Sequence, residues 1–414
     1  MSNPLRSSGQ RPRPDPYTTQ STLTNEPIPL FHLRRWFDED LNSDWRVADL
    51  QRMHGFLYPA FQLASKLIMC DHSLEWYART YLSDWQPHPT HQGGYYLLGN
   101  WRTAPDNRAQ AVPNVKARLA DLQTRVVSHY LREGEESFDY WNEKLNGEMK
   151  GTNMATQPNF LGYPEGELKQ LWDEYKANIR LSDNLTWIKY CHMIFWNPAF
   201  TDAVLGTNMV DDCAKRGGYS RQALKFLLDV ALTVSHEFAH CAMADVRAAK
   251  LNNPEEPYHK LDDPENEVGY SWTQWMFGGQ VDAEYVGSPA EPMHWSQWQG
   301  QGINRDVDGT RMVSVIPTQW MSDWFQQETW DRIEQQVAAA NAGPAWAPNG
   351  AYNAAFPKFT PVYFPRRDIY KKYEEMVGKE IRQMTTPQKR KFDGATAAER
   401  AASEEDRAKR QKNL

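Results

Sequence analysis

The chain has 414 residues, 40 % of them hydrophobic and 24 % charged. That apolar share can close a sizeable core, and it excludes wholesale disorder, collagen, coiled-coil and low-complexity classes. A net charge of −7 speaks against a general nucleic-acid binder, whose domains sit far on the basic side.

Four cysteines, Cys70, Cys191, Cys213 and Cys241, lie far apart without a Cys-x-x-Cys pair. Neither a zinc knuckle nor a disulfide scaffold is expected from that spacing. The first residues, MSNPLRSSGQRPRPDP, hold no apolar run of the kind a secretory signal needs. No stretch approaches 18 uninterrupted apolar residues, so no membrane span is expected. The expected setting is intracellular, cytoplasmic or nuclear, with reduced thiols.

Residues 1–28 are rich in Pro, Ser, Thr, Arg and Gln and read as a disordered arm. Residues 29–180 read as a helical N-terminal region. Apolar recurrence at three and four residues predicts helices over Leu50 to Tyr81, Asn114 to Tyr130 and Glu167 to Ile179. A further helical stretch from Glu135 to Leu145 follows Gly134.

Residues 181–385 form the region that carries the chemistry. It opens with Leu185 to Trp196 (LTWIKYCHMIFW), which is β-branched, aromatic and close to alternating, and is stopped by Asn197-Pro198. That pattern predicts a strand. Gly287 to Pro317 reads as a long loop, and Trp320 to Ala340 as a helix. Residues 386–414 read as a disordered tail, with eight Lys/Arg against five Asp/Glu from Thr386 on. Its two basic clusters, Lys389-Arg390-Lys391 and Lys409-Arg410-Gln411-Lys412, fit a bipartite nuclear-import signal, with an import receptor as partner. They fit a solvated charged tail equally well.

The most informative stretch is SRQALKFLLDVALTVSHEFAHCAMADVRAAK. Ser220 is a good N-cap, and Leu224, Leu227, Leu228, Ala231, Leu232, Val234 and Phe238 follow helical spacing. No Pro or Gly interrupts the run until Asn252-Asn253-Pro254 ends it. Inside it lies HEFAH, residues 236 to 240. On a helix, His236 and His240 are one turn apart and project from one face. Two imidazoles so placed can bind one tetrahedral zinc at about 2.0–2.1 Å each. Glu237 is rotated about 100° from His236, where its carboxylate can take a proton without ligating.

Here the sequence resembles the active-site helix of the zincin metallopeptidases. Their extended pattern is matched throughout: Val234, any residue, His236, Glu237, two uncharged residues, His240, an uncharged residue and an apolar one. The resemblance covers this helix and the segment after it. It implies an α+β, helix-rich fold with a zincin-like core, in which a small sheet packs on the metal-binding helix. It also implies one Zn2+ per chain, Glu237 as general base on a metal-activated water, and peptide or protein substrates. Zincins bind peptide along an edge strand, and Leu185 to Trp196 is the expected edge, or else an ordinary core strand.

A catalytic zinc usually takes three protein ligands. The position that would carry a third histidine in astacin-like enzymes holds Val246. The glutamate-type zincins use a Glu on the next helix, and LDDPENEVGYSWTQWMFGG supplies candidates. Asp263 as N-cap and Pro264 at the first helical position predict its start, and Gly278-Gly279 its stop. Periodicity turns Glu265 toward the core with Val268, Trp272 and Trp275. Glu267 follows Asn266, as in thermolysin-type enzymes, and Glu267-x-Gly269-aromatic also resembles a group of fungal HExxH proteins. The resemblance therefore selects Glu267, with Glu265 as the alternate. An oxyanion would need a second electrophile, for which Tyr270, Tyr285, His294 and Arg311 are candidates.

Three classes of function remain open on these residues. The first is a zinc-dependent hydrolase of peptide or other amide bonds. The second is a non-catalytic zincin-fold binding or regulatory protein, which would have no need of Glu237. The third is a different metal enzyme, since two His and a carboxylate also suit non-haem iron, or a chance occurrence of the motif.

Overall fold

A computed structural model describes residues 17–32, 47–100, 107–124, 126–130, 154–157, 192–196, 198–250, 256–283, 292–298, 311–340 and 355–383. The fold is α+β and helix-rich, with small sheets. Among the described residues, no helix is long and apolar enough to cross a membrane.

The N-terminal half supplies α1 (Val47–Met69), α2 (Asp71–Leu82), a β1 (Trp85–Pro87) and β2 (Tyr95–Leu97) hairpin, and α3 (Asn107–Gln123). The single helix expected over Leu50 to Tyr81 is two, parted at Cys70, whose extended backbone caps α2. The helix expected from Asn114 to Tyr130 ends at Gln123, and Val126–Tyr130 is strand β3. Two β-branched valines open that strand, and pairing with β5 (His192–Trp196) satisfies it.

β5 lies in the middle of a sheet of order β3-β5-β4, parallel to β3 and antiparallel to β4 (Met154–Gln157). The expectation of a strand holds for His192–Trp196, and of its two expected positions the strand takes the interior one rather than the edge. Both of its sides are paired, so it has no free main-chain groups to offer a peptide. The stretches 135–145, 167–179 and 185–191 lie outside the described residues, as do 1–16 and the basic tail.

After α4 (Pro198–Leu205) and α5 (Met209–Arg216) comes α6 (Arg221–Lys250). Ser220 Oγ accepts the Ala223 N–H at 3.2 Å, the cap expected from its sequence. From Ala223 to Val246 side chains are buried on every side of α6. A helix buried all round is the axis of a core rather than a surface element. α1, α2 and α7 (Val268–Phe277) pack against it. One core runs from Leu23 to Phe356, without a break at the boundary expected at residue 180.

The arm expected to be disordered to residue 28 is packed from Tyr17 on. Leu23, Leu30 and Phe31 are buried, and Thr22 donates its N–H to the Phe325 carbonyl at 3.0 Å. These few apolar anchors offset the ordering cost that the polar composition suggested would prevail.

A second sheet, β6 (Gln280–Ala283), β7 (Met293–Ser296), β8 (Met312–Val315) and β9 (Phe364–Pro365), follows α7. β7 and β8 fall inside the stretch expected to be loop. They are four residues each between Gly- and Pro-rich flanks, too short for alternation to show. Helices α8 (Thr318–Asp323), α9 (Gln327–Ala340) and α10 (Ile369–Gln383) complete the described fold.

Helix α7 is fastened to α2. Trp272 Nε1 donates to Ser73 Oγ and Trp275 Nε1 to the His72 carbonyl, both at 2.9 Å. The His72 ring returns a bond from Nε2 to the Trp275 carbonyl, also at 2.9 Å. Burying a tryptophan such as Trp272 contributes about 4–6 kcal/mol of gross transfer energy. That anchoring holds the first turn of α7 against the HExxH stretch of α6.

Candidate metal centre

His236 and His240 project from one face of α6, as a one-turn separation requires. Their Nε2 atoms are 3.3 Å apart. Glu267 Oε1 lies 3.2 Å from His236 Nε2 and 2.5 Å from His240 Nε2. The three side chains are only 18–20 % exposed. Among the described residues, this is the one group of three or more His, Cys, Asp or Glu side chains that can hold a metal ion.

The donor set fits that use. Bonds of 2.0–2.1 Å to a tetrahedral ion set donors about 3.3 Å apart. Two of the three separations match, and the third has closed to a charge-assisted hydrogen bond.

Glu267 reaches the site by a route that its sequence did not announce. It is the N-cap of α7, which begins at Val268 and not at Pro264. Glu267 Oε2 accepts the Tyr270 N–H, leaving Oε1 for the histidines. Asp263, the expected cap, instead accepts from the Lys260 N–H at 2.9 Å and from Ser271 Oγ at 3.0 Å. Because residues 264–267 are not helical, the helical periodicity read for Glu265 does not apply. Glu265 turns away and accepts the Trp298 indole N–H at 2.9 Å. The expected helix stop is present: Gly278 adopts φ +73° and returns its N–H to Gln274.

Two further residues shape the site, Glu256 unexpected from the sequence and Gly269 noted there only as part of a resembling motif. Gly269, in the first turn of α7, sits against the His236 ring, where a β-carbon would lie 2.3–2.5 Å from three ring atoms. Glu256, in the segment between α6 and α7, accepts the His240 Nδ1–H at 2.9 Å. A carboxylate only accepts, so Glu256 keeps a proton on Nδ1 and leaves Nε2 as the nitrogen that faces the site, able to ligate once it gives up the proton it shares with Glu267.

The electrostatics follow from the crowding of carboxylates on two imidazoles. Burial pulls the His236 pKa down, but Glu267, by charge and hydrogen bond, and Glu237 lift it above its ordinary value. Burial opposes His240 in the same way, and Glu256 and Glu267 raise it well above 6.5. Burial pushes Glu267 up, yet His236 and His240 hold it far below the usual carboxylate range. The site is built to meet positive charge.

Glu237 is buried, beside His236 on α6. Tyr270 stands edge-on to His236, with ring centroids 5.2 Å apart. Burial, then Asp282, Glu267 and Glu265, raise its phenol pKa, so it remains an O–H donor. His294 is fully buried on β7, pushed down to about 3 by burial and by Arg311 and Arg366. It is a neutral core imidazole. Arg311 donates to Ser296 Oγ. Tyr285 lies outside the described residues. Asp229 is a lone acid inside the apolar run FLLDVAL, raised to about 7 by burial against the pull of Lys225. Asp282 is likewise raised by burial, although Arg311 and His236 draw it down.

Glu267→Ala should weaken metal binding beyond the roughly 10–100-fold typical of outer-shell losses. Glu265→Ala should leave binding unchanged but cost about 1–3 kcal/mol, since it strands the Trp298 donor. Metal titration and thermal melts of both variants check this, and equal metal affinities would remove Glu267 from the site.

No family model matches the chain, and no curated protein or solved structure is similar to it.

Proposed function

We propose that the protein is a zinc-dependent hydrolase of peptide bonds, centred on His236, His240 and Glu267. The observation that carries this reading is the convergence of Glu267 Oε1 on both Nε2 atoms, beside an intact Glu237. Two imidazoles and one carboxylate on fixed elements suit tetrahedral zinc, with a fourth position left for solvent. Bound there, zinc would supply Lewis acidity to a substrate carbonyl and make a water molecule easier to deprotonate.

The chain's own residues do the rest. Glu237 takes a proton from the attacking water as its oxygen bonds to the carbonyl carbon. It then delivers that proton to the departing amine as the C–N bond breaks. Tyr270 is the described candidate best placed to donate to the carbonyl oxygen as charge builds there. β4 packs against α6 and has an unpaired side among the described residues. A substrate in extended form would pair with that side.

The test is Glu237→Gln, which should keep zinc and fold while kcat on a peptide mixture falls at least about 100-fold, the lower bound for losing a general base. Metal analysis of the wild type should give one zinc per chain. Protein that stays zinc-free after reconstitution, or iron in its place, overturns the reading, as does wild-type turnover by Glu237→Gln.

A further inference from the structure

Glu256 lies outside the three-residue cluster, yet it touches both elements that build it. Its Oε1 accepts from His240 Nδ1 at 2.9 Å, and its Oε2 lies 3.5 Å from the Val268 N–H at the start of α7. Its carbonyl accepts from Asn266 Nδ2 at 3.1 Å, one residue before Glu267. The segment carrying it is itself fixed. Tyr258 exchanges main-chain bonds with Tyr95 and Leu97 of the β2 hairpin. His259 stacks on Trp76 with centroids 4.3 Å apart, and Arg79 Nε donates to its carbonyl at 2.7 Å.

We propose that Glu256 is a positioning residue that locks His240 as an Nε2 donor and ties that ring to the Glu267 end of α7. One carboxylate thereby sets which nitrogen of one donor faces the site and the distance to another. The proposal rests on the metal reading above only for its consequence, not for its geometry. An imidazole held on one nitrogen cannot rotate its other nitrogen away from the site. Loss of such an outer partner commonly costs 10–100-fold in metal affinity.

The experiment combines zinc competition titration with proton NMR of the metal-free protein. Glu256→Ala should raise the zinc dissociation constant about 10–100-fold. Glu256→Gln should recover most of that loss, because its amide carbonyl still accepts the Nδ1–H. Glu256→Asp keeps the charge but loses reach, and it serves in place of the alanine variant if that one does not fold. In metal-free wild type, the His240 Nδ1–H should exchange slowly with solvent, and in Glu256→Ala it should exchange fast. Unchanged zinc affinity in both the alanine and aspartate variants overturns the proposal, as does equally fast exchange in wild type and variant. Wild type that takes up no zinc would instead end the metal reading. The exchange measurement would then still decide whether Glu256 holds the ring.

Discussion

Gly269→Ala is expected to abolish zinc binding while leaving the protein folded. The added methyl would lie 2.3–2.5 Å from Nε2, Cδ2 and Cε1 of His236. Real carbon contacts do not reach that distance, so either α7 or the imidazole must move. α7 is pinned to α2 through Trp272 and Trp275, whereas the ring can turn about its own side-chain bonds. The ring therefore yields, and its Nε2 leaves the point where the three donors converge. Removing one donor of three should lower zinc affinity by at least about 100-fold, above the range for outer-shell losses. In an unobstructed helix the same substitution would stabilise by about 1 kcal/mol through propensity. Overpacking offsets this by about 1–3 kcal/mol, so the melting temperature should stay level or fall modestly. Zinc titration beside a thermal melt decides it. Wild-type affinity in this variant would mean that His236 is not a ligand.

The helix that carries HEFAH was legible because its signals are local. Ser220 caps α6, its apolar spacing runs unbroken, and His236 and His240 need only the helical repeat to share a face. Gly278 likewise ends α7 as its sequence says, since a left-handed residue is a backbone requirement. The start of α7 departs from its local sequence signal for an equally physical reason. Asp263-Pro264 is the stronger local start signal, but the Asp263 carboxylate is taken by Lys260 N–H and Ser271 Oγ. Helix formation then waits for Glu267, whose Oε2 caps α7 while its Oε1 reaches both histidines.

What the sequence concealed are relations between distant segments. Glu256 is an unremarkable acid in NNPEEPYHK until the fold brings it under His240. Gly269 belongs to a resembling motif, but the reason for a glycine there is hidden until the His236 ring is seen against it. β3 and β4 exist because both pair with β5, and segments of five and four residues carry too little periodicity to reveal it. One clue was present. An aspartate inside FLLDVAL marks a charge forced into a core, and Asp229 is indeed buried.

The metal-free and zinc-loaded proteins should respond to pH in opposite directions. Without metal, Glu256 and Glu267 overcome burial to raise His240, and chiefly Glu267 does the same for His236. The unfolded histidines titrate near 6.5. A pKa raised on folding gives stability that is complete below 6.5 and is lost as pH climbs through the folded value. Glu267 is shifted the other way, so its contribution is present above about 4.5 and is lost as pH falls toward its depressed folded value. The triad of the metal-free protein therefore contributes most between about pH 4.5 and 6.5 and fades on the alkaline side. Zinc reverses this, because it requires both imidazoles neutral and binds more tightly as protons leave. At about 100 times its dissociation constant a ligand adds about 2.7 kcal/mol, and each tenfold gain in affinity adds about 1.4 kcal/mol more. Melting temperatures measured with chelator and with excess zinc at pH 6, 7 and 8 should therefore diverge as pH rises. The gap should close at every pH in His236→Ala. Other groups that titrate in this range, Asp229 near 7 among them, act on both curves and cancel in the difference. A gap that stays constant from pH 6 to 8 would show that zinc binds somewhere other than these two histidines.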